Sequence, residues 1–265
     1  MSESWEKRIA DAYAWQRALG SATIQGAGCR VVMNPAIPNV WDANHADSLT
    51  VETEAELQKA LAFMDAHLAH CPDRVVHTDH RASDRLLAKL AFAGFRERPV
   101  TIQMLLEGSV RGAEHPLDLR SVASEADWRT LGELAAADHA EGGRSSGVRT
   151  RELSNAIVAG YRAKGEAYRF HLARVGEKAV CYCACTHAPN GLGMVEDLFT
   201  LPSHRGRGIG AAVVARLVHK LRAEGCDGVF IGALADSPAK GLYRRLGFEP
   251  VLLTRAWLKA APALG

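Results

Sequence analysis

Residues 203–221, SHRGRGIGAAVVARLVHKL, set three alternating glycines and two arginines directly ahead of an apolar-periodic run. The run predicts a helix ended by Gly225, and the preceding GMVEDLFTL predicts a strand. A helix entered through glycine begins with N–H groups that have no intrahelical partner, at the positive end of its dipole. With no side chain in the way, such a turn admits an anion, above all a phosphate. The chain must therefore build a sheet whose strand delivers this loop to a cleft.

The phosphate ligand is narrowed by what surrounds the loop. No GKS or GKT is present, which argues against a nucleoside-triphosphate loop. Gly206, Gly208 and Ala211 satisfy the dinucleotide fingerprint. That fingerprint normally opens a doubly wound sheet, however, and here only one more strand-helix-strand unit follows it. Arg205, Arg207 and His204 suit a ligand richer in phosphate than one buried diphosphate. A glycine-rich turn with solvated arginines would carry the same letters.

The chain has 265 residues, room for two domains with cores of their own. Its net charge of +2, from 32 basic and 30 acidic residues, predicts no nucleic-acid surface. No stretch approaches the about 18 apolar residues of a membrane helix, and the N-terminal MSESWEKRIADAYAW lacks a signal pattern. A cytoplasmic protein with reduced thiols is expected. Cys181, Cys183 and Cys185 share one face of a strand and read as small buried hydrophobes rather than metal ligands. His67, His70 and Cys71, and the histidines of HTDH at 77–80, are likewise read without a metal.

Along the chain, a polar helix-like opening leads to NPAIPNVWDANHADSL, whose prolines and asparagines predict loop. A capping box, Thr53 with Glu56, opens an amphipathic helix, and RVVHTDH, SDRLLAKLAFAGF and PVTIQMLLE read as strand, helix and strand. After the linker-like GSVRGAEHP, the second half reads β-α-α-β-β-β-α-β-α-β, a mixed sheet with helices on its faces. The junctions LLAKLAFAGFRE and AKGLYRRLGFEP align through Gly94-Phe95 and Gly247-Phe248, which predicts two copies of one fold.

Arg205-Gly-Arg-Gly208-Ile-Gly210 fits the R/Q-x-x-G-x-G/A acyl-CoA signature, and LYRRLGF at 242–248 is a second hallmark. On these two motifs the C-terminal half resembles the GNAT family of N-acetyltransferases. The resemblance implies an α/β fold of two tandem units: a degenerate GNAT-like domain at 1–110 and a complete catalytic one at 117–265. It implies acetyl-CoA as co-substrate, with its diphosphate on the amides of Arg205, Gly206, Arg207, Gly208, Ile209 and Gly210. Its pantetheine arm would lie along Leu198, Phe199 and Thr200. The first half has Leu90 where the second has Tyr243, and no glycine loop, so it should neither bind the coenzyme nor catalyse.

Acetyl transfer from a thioester to an amine needs a group to take the amine proton, a donor to the carbonyl oxygen and a proton for the leaving thiolate; no metal is required. A phenol can supply that last proton, and the resemblance gives this role to Tyr243. It gives the base to Glu196, an acid on a strand where acids are depleted; a rim carboxylate is the alternative. Alternation turns Asp197 to the opposite face. The family's asparagine seven residues before the tyrosine is here Asp236, which while ionised accepts but cannot donate. Ser237 is expected as the cap of the helix that follows.

Three readings stand at this point. The first is an N-acetyltransferase acting on a primary amine, of a small molecule rather than a protein. The second is an acyl-CoA-binding sensor or scaffold without turnover, and the third a nicotinamide dinucleotide enzyme. DHAEGGRSSGVR, residues 138–149, is expected to border the acceptor pocket.

Overall fold

The computed structural model describes residues 3–112, 116–141 and 150–260. The first half runs α1 (Trp5–Ala18), β1 (Ala22–Gly26), β2 (Cys29–Met33), β3 (His45–Asp47), α2 (Glu54–His67), β4 (Asp73–Thr78), α3 (Asp84–Phe92), β5 (Arg96–Glu97) and β6 (Thr101–Leu106). The second runs β7 (Asp118–Ser121), α4 (Glu125–Ala140), α5 (Arg151–Ala163), β8 (Arg169–Val175), β9 (Lys178–His187), β10 (Leu192–Thr200), α6 (Ile209–Ala223), β11 (Gly228–Leu234), α7 (Ala239–Leu246) and β12 (Glu249–Ala260). The second half has the order its sequence predicts. Helix α7 starts one residue later than a cap at Ser237 would place it, and Ser237 Oγ accepts from the Ala239 N–H at 3.2 Å.

The strands form one mixed sheet ordered β1-β2-β3-β4-β12-β6-β11-β10-β9-β8-β7, with β5 beside β12. Among the described residues, only β3/β4 and β10/β11 pair in parallel. The halves are interleaved at the seam. β6, from the first half, lies antiparallel to β11, and the far end of β12 pairs with β4. Neither half's sheet is completed by its own chain segment, and this exchange is invisible to local sequence pattern.

Four strands of the first half, β1, β2, β3 and the two-residue β5, escape the sequence reading. β1 and β2 are joined through Ala27 and Gly28, with φ of 50° and 77°. Positive φ at both central residues is the tight hairpin turn whose twist matches the strands, but alanine gives no hint of it. β3 lies inside the segment expected as loop, held by Arg30 opposite Asp47 in the ladder with β2. The alignment through Gly-Phe, in contrast, has a structural counterpart. Gly94 and Gly247 are both left-handed, and the Phe95 and Phe248 amides reach back to the carbonyls of Leu90 and Tyr243 at 3.0 and 3.1 Å. This is the same helix stop twice.

Helices α6 and α7 bury Val213, Leu217 and Leu246 against Met104, Val195 and Ile231 on one face of the sheet. Cys181, Cys183 and Cys185 lie within this core, where burial pushes the Cys181 thiol up to about 12 and the Cys185 thiol up to about 11. On the other face α4 stacks its apolar side on Phe170 and Tyr182. Helix α1 buries Ile9 and Ala12 against Leu105, Met194 and Phe230. A buried isoleucine of this kind is worth about 2 kcal/mol. The first helix of the chain is thereby anchored on the second half's sheet, while α2 and α3 cover Val31, Ala46, Val76 and Trp257.

Candidate active site

The parallel ladder between β10 and β11 stops at Val195 opposite Ile231. Beyond it, the pairing of β10 with β9 shifts register between Glu196 and Phe199, and Asp197 has a φ of 52°. Such a bulge bends the strand and re-aims its side chains. The two neighbours therefore part, and residues 196–200 and 231–234 line opposite walls of a cavity of about 1380 Å³. The bulge also overturns the simple alternation expected for Asp197. Both it and Glu196 border the same cavity, and the Asp197 carboxylate accepts from the Tyr161 and Tyr168 hydroxyls at 3.1 and 2.8 Å.

At one end of the cavity stands the glycine loop. Gly206 and Gly208 have φ of 74° and 79°, and Gly208 is the residue at which α6 begins, with no side-chain cap. The first helical amides thus face the cavity lined by Arg205, Gly206, Gly208, Ile209 and Gly210. Leu198, Phe199 and Thr200 line the adjoining wall, and a Cβ on Gly210 would meet Leu198 and Thr200 at 3.6 Å, which leaves room for no more than alanine. Leu198 is half-buried and Phe199 buried.

The arginines of the loop differ. Arg205 donates to the Thr200 carbonyl at 2.9 Å and to both Glu141 oxygens at 3.0 and 2.8 Å, with its guanidinium 5.5 Å from the Phe199 ring centre. Arg207 is exposed and lies outside the cavity lining, as does Asp236; Ser237, Pro238 and Ala239 line the wall instead.

Glu196 is half-buried and lies over β11, its Oε1 within 3.3 Å of where a Cβ on Gly232 would stand. The missing side chain at Gly232 is what leaves the carboxylate space. Tyr243, on α7, is 5% exposed and lines the same cavity. The geometry thus gathers an uncapped helix start, a carboxylate and a phenol around one space.

Residues 129–248 match the Acetyltransferase (GNAT) family. This part of the chain is a GNAT acetyltransferase domain. A GCN5-related N-acetyltransferase from Kribbella flavida is similar over 99% of this chain and 98% of its own, with 20% identity and a TM-score of 0.73. A functionally unknown conserved protein from Staphylococcus epidermidis is similar over 91% and 95%, with 15% identity and a TM-score of 0.70. A tandem GNAT protein from the clavulanic acid biosynthesis pathway is similar over 89% and 79%, with 13% identity and a TM-score of 0.62. At these identities the likeness is one of fold, and it extends through both halves. No curated protein matches the chain. Among the described residues, no helix is long and apolar enough to cross a membrane, and no metal-binding group of three is found.

The GNAT cavity has a wall that the sequence reading did not foresee. Tyr13 and Arg17 of α1, Trp41, His77 and Arg98 all come from the first half. Tyr161 and Lys164 close the same space from α5 and its end, and Asp138, Glu141 and Thr150 flank it. Residues 142–149 of the expected acceptor segment lie outside the described residues. Burial and the nearby Arg17 charge pull the Lys164 ammonium down, against the raising effect of Asp42, Asp197 and Glu196. Burial drives His77 well below the ordinary imidazole range. No local motif marks these residues, because they meet only when α1 crosses between the two halves.

Proposed function

We propose that the protein moves an acetyl group from acetyl-CoA to a primary amine of a small molecule. The observation that carries this reading is a single cavity shared by the uncapped start of α6, Glu196 and Tyr243. The fit to the coenzyme rests on the left-handed Gly206 and Gly208, which keep side chains away from the first amides of α6, and on the parting of β10 from β11, which opens an extended wall beside them. The diphosphate would be held by the amides of residues 205–210 and the pantetheine by Leu198, Phe199 and Thr200.

When bound, acetyl-CoA supplies an electrophilic thioester carbonyl. Glu196 takes the proton of the amine, directly or through one water, once the amine lies over Gly232. Tyr243 holds the proton needed by the departing sulfur, a transfer uphill by only about 1.5 pKa units, since a phenol titrates near 10 and a thiol near 8.5. Backbone amides along the bulge would polarise the carbonyl. The first half, residues 1–110, supplies the acceptor wall and no second coenzyme site. The six unpaired cysteines accord with a cytoplasmic setting.

A turnover measurement tests the reading: acetyl-CoA with a broad panel of amines, free thiol followed, and Tyr243→Phe compared. Thiol release with at least one amine, lost in the variant, is expected. Coenzyme binding without turnover of any amine would instead favour the sensor.

A further inference from the structure

The strongest unexplained group outside the acetyl-transfer machinery is Arg17, in the last turn of α1. It is 6% exposed, yet among the described residues its Nε and Nη1 have no hydrogen-bond acceptor. Its Nη2 lies 3.9 Å from Asp47 Oδ2, but Asp47 is already satisfied. Arg30 grips both Asp47 oxygens at 2.8 and 2.6 Å, Ser48 Oγ donates at 3.1 Å, and His45 stands 3.5 Å away. Arg17 is therefore surplus to the Asp47 cluster. A buried guanidinium with two orphaned donors is costly unless an acceptor arrives.

The cavity that Arg17 borders is where that acceptor would sit. The Tyr13 ring packs against the guanidinium with its centre 4.3 Å away, which fixes the plane of the fork, and both residues line the cavity that holds Glu196. Lys164 borders the same space, its Nζ 4.6 Å from the Tyr168 ring centre. Asp197, the other acid at the bulge, is engaged by two tyrosine hydroxyls. Burial raises the Tyr13 hydroxyl, and Glu196 and Arg17 act on it in opposite senses, so both charges are felt at one place. The cavity thus has Glu196 on the second half's wall and the Arg17 guanidinium on the first half's wall, where Asp42 and Asp73 also border the space.

We propose that the acceptor carries a carboxylate beside its amine, as an amino acid does, and that Arg17, assisted by Lys164, binds it while the amine points to Glu196. Nε and Nη1 lie on different edges of the guanidinium, so either can donate a charge-assisted hydrogen bond to one carboxylate oxygen. Arg17 would be a specificity residue contributed by the half that lacks the glycine loop. The inference rests on the acetyl-transfer reading, and its test separates the two.

The test compares amino acids with their carboxamides as acceptors, by kcat/KM in thiol release. The wild type is expected to prefer each accepted acid over its amide at least tenfold. In Arg17→Met the two rates converge, mainly through a rise of KM for the acid, with an unchanged Kd for CoA by calorimetry. Arg17→Lys retains part of the preference. Lys164→Met, at a half-buried position, is expected to weaken the preference and serves if Arg17→Met does not fold. Equal rates for acid and amide in the wild type overturn the proposal, as does a preference that survives in the variants. If no amine turns over, the acetyl-transfer reading fails and the subsite is read by thermal unfolding. Stabilisation of the wild type by a millimolar amino acid but not by its amide, absent in Arg17→Met, then supports it; no such difference overturns it.

Discussion

Helices α2 and α6 hold the same place in the two halves: each follows the first strand of a parallel pair and covers one face of the sheet. Their beginnings are opposite. Thr53 Oγ1 accepts from the Glu56 amide at 3.2 Å and the Glu56 carboxylate accepts from the Thr53 amide at 2.8 Å, so α2 closes its own donors and adds negative charge. α6 starts at a left-handed glycine with no side-chain cap and basic residues ahead of it. The strands behind them differ likewise. β3 is buried throughout and keeps register with β2, whereas β10 bulges and leaves residues 196–198 half-buried. One scaffold thus yields a sealed surface in the first half and an open cleft beside an uncapped helix start in the second, through capping and one inserted residue.

The contrast can be broken most severely at the acid-base pair. Glu196→Gln is expected to lower kcat about a thousandfold at neutral pH, within the span of general-base catalysis, and Tyr243→Phe at least a hundredfold. Leu90→Tyr, at the matching helix stop of the first half, should restore nothing. Steady-state kinetics with an accepted amine would check all three.

Acidification should show where the halves agree, since each hides neutral imidazole. Burial, with Lys220 and Arg169 nearby, lowers His171 on β8 to about 4, while burial also lowers His45 and His77. A depressed histidine stabilises fully above its unfolded value near 6.5; as pH falls, the unfolded chain gains a proton that the folded one refuses. Between about pH 6.5 and 4, His171 alone should cost about 3 kcal/mol of unfolding free energy. Denaturant titrations across that window should flatten in His171→Gln. Glu224, held down to about 2 by Arg169, adds its loss only below the ordinary glutamate range.

Smaller effects sharpen the comparison of helix starts. Arg205→Ala is expected to weaken acetyl-CoA about tenfold, since a charge-assisted hydrogen bond is worth about 1.5–3 kcal/mol. Glu141→Gln should act in the opposite direction, because Arg205 now donates to that carboxylate. Calorimetric Kd values decide both. Thr53→Ala should destabilise the fold by about 1 kcal/mol and leave acetyl-CoA affinity as it was, as read by unfolding and calorimetry together.

The legible parts are those whose chemistry is local. The capping box at Thr53 forms as read. The Gly-Phe helix stops and the glycine turn follow from residues adjacent in the chain. The hairpin at Ala27 escaped because an alanine in the left-handed region carries no local signature. Asp197 was misplaced because alternation holds only where a strand keeps register.

The order of strands and helices in the second half, and the uncapped glycine entry to α6, followed from the amino-acid sequence alone, because periodicity, glycine conformation and unpaired helix amides act within a few residues. The exchange of β6 and β12 between the sheets, and the arrival of Arg17 opposite Glu196, were decided by tertiary structure alone. They depend on apolar surfaces far apart in the chain finding one another, and that long-range burial leaves no imprint on neighbouring letters.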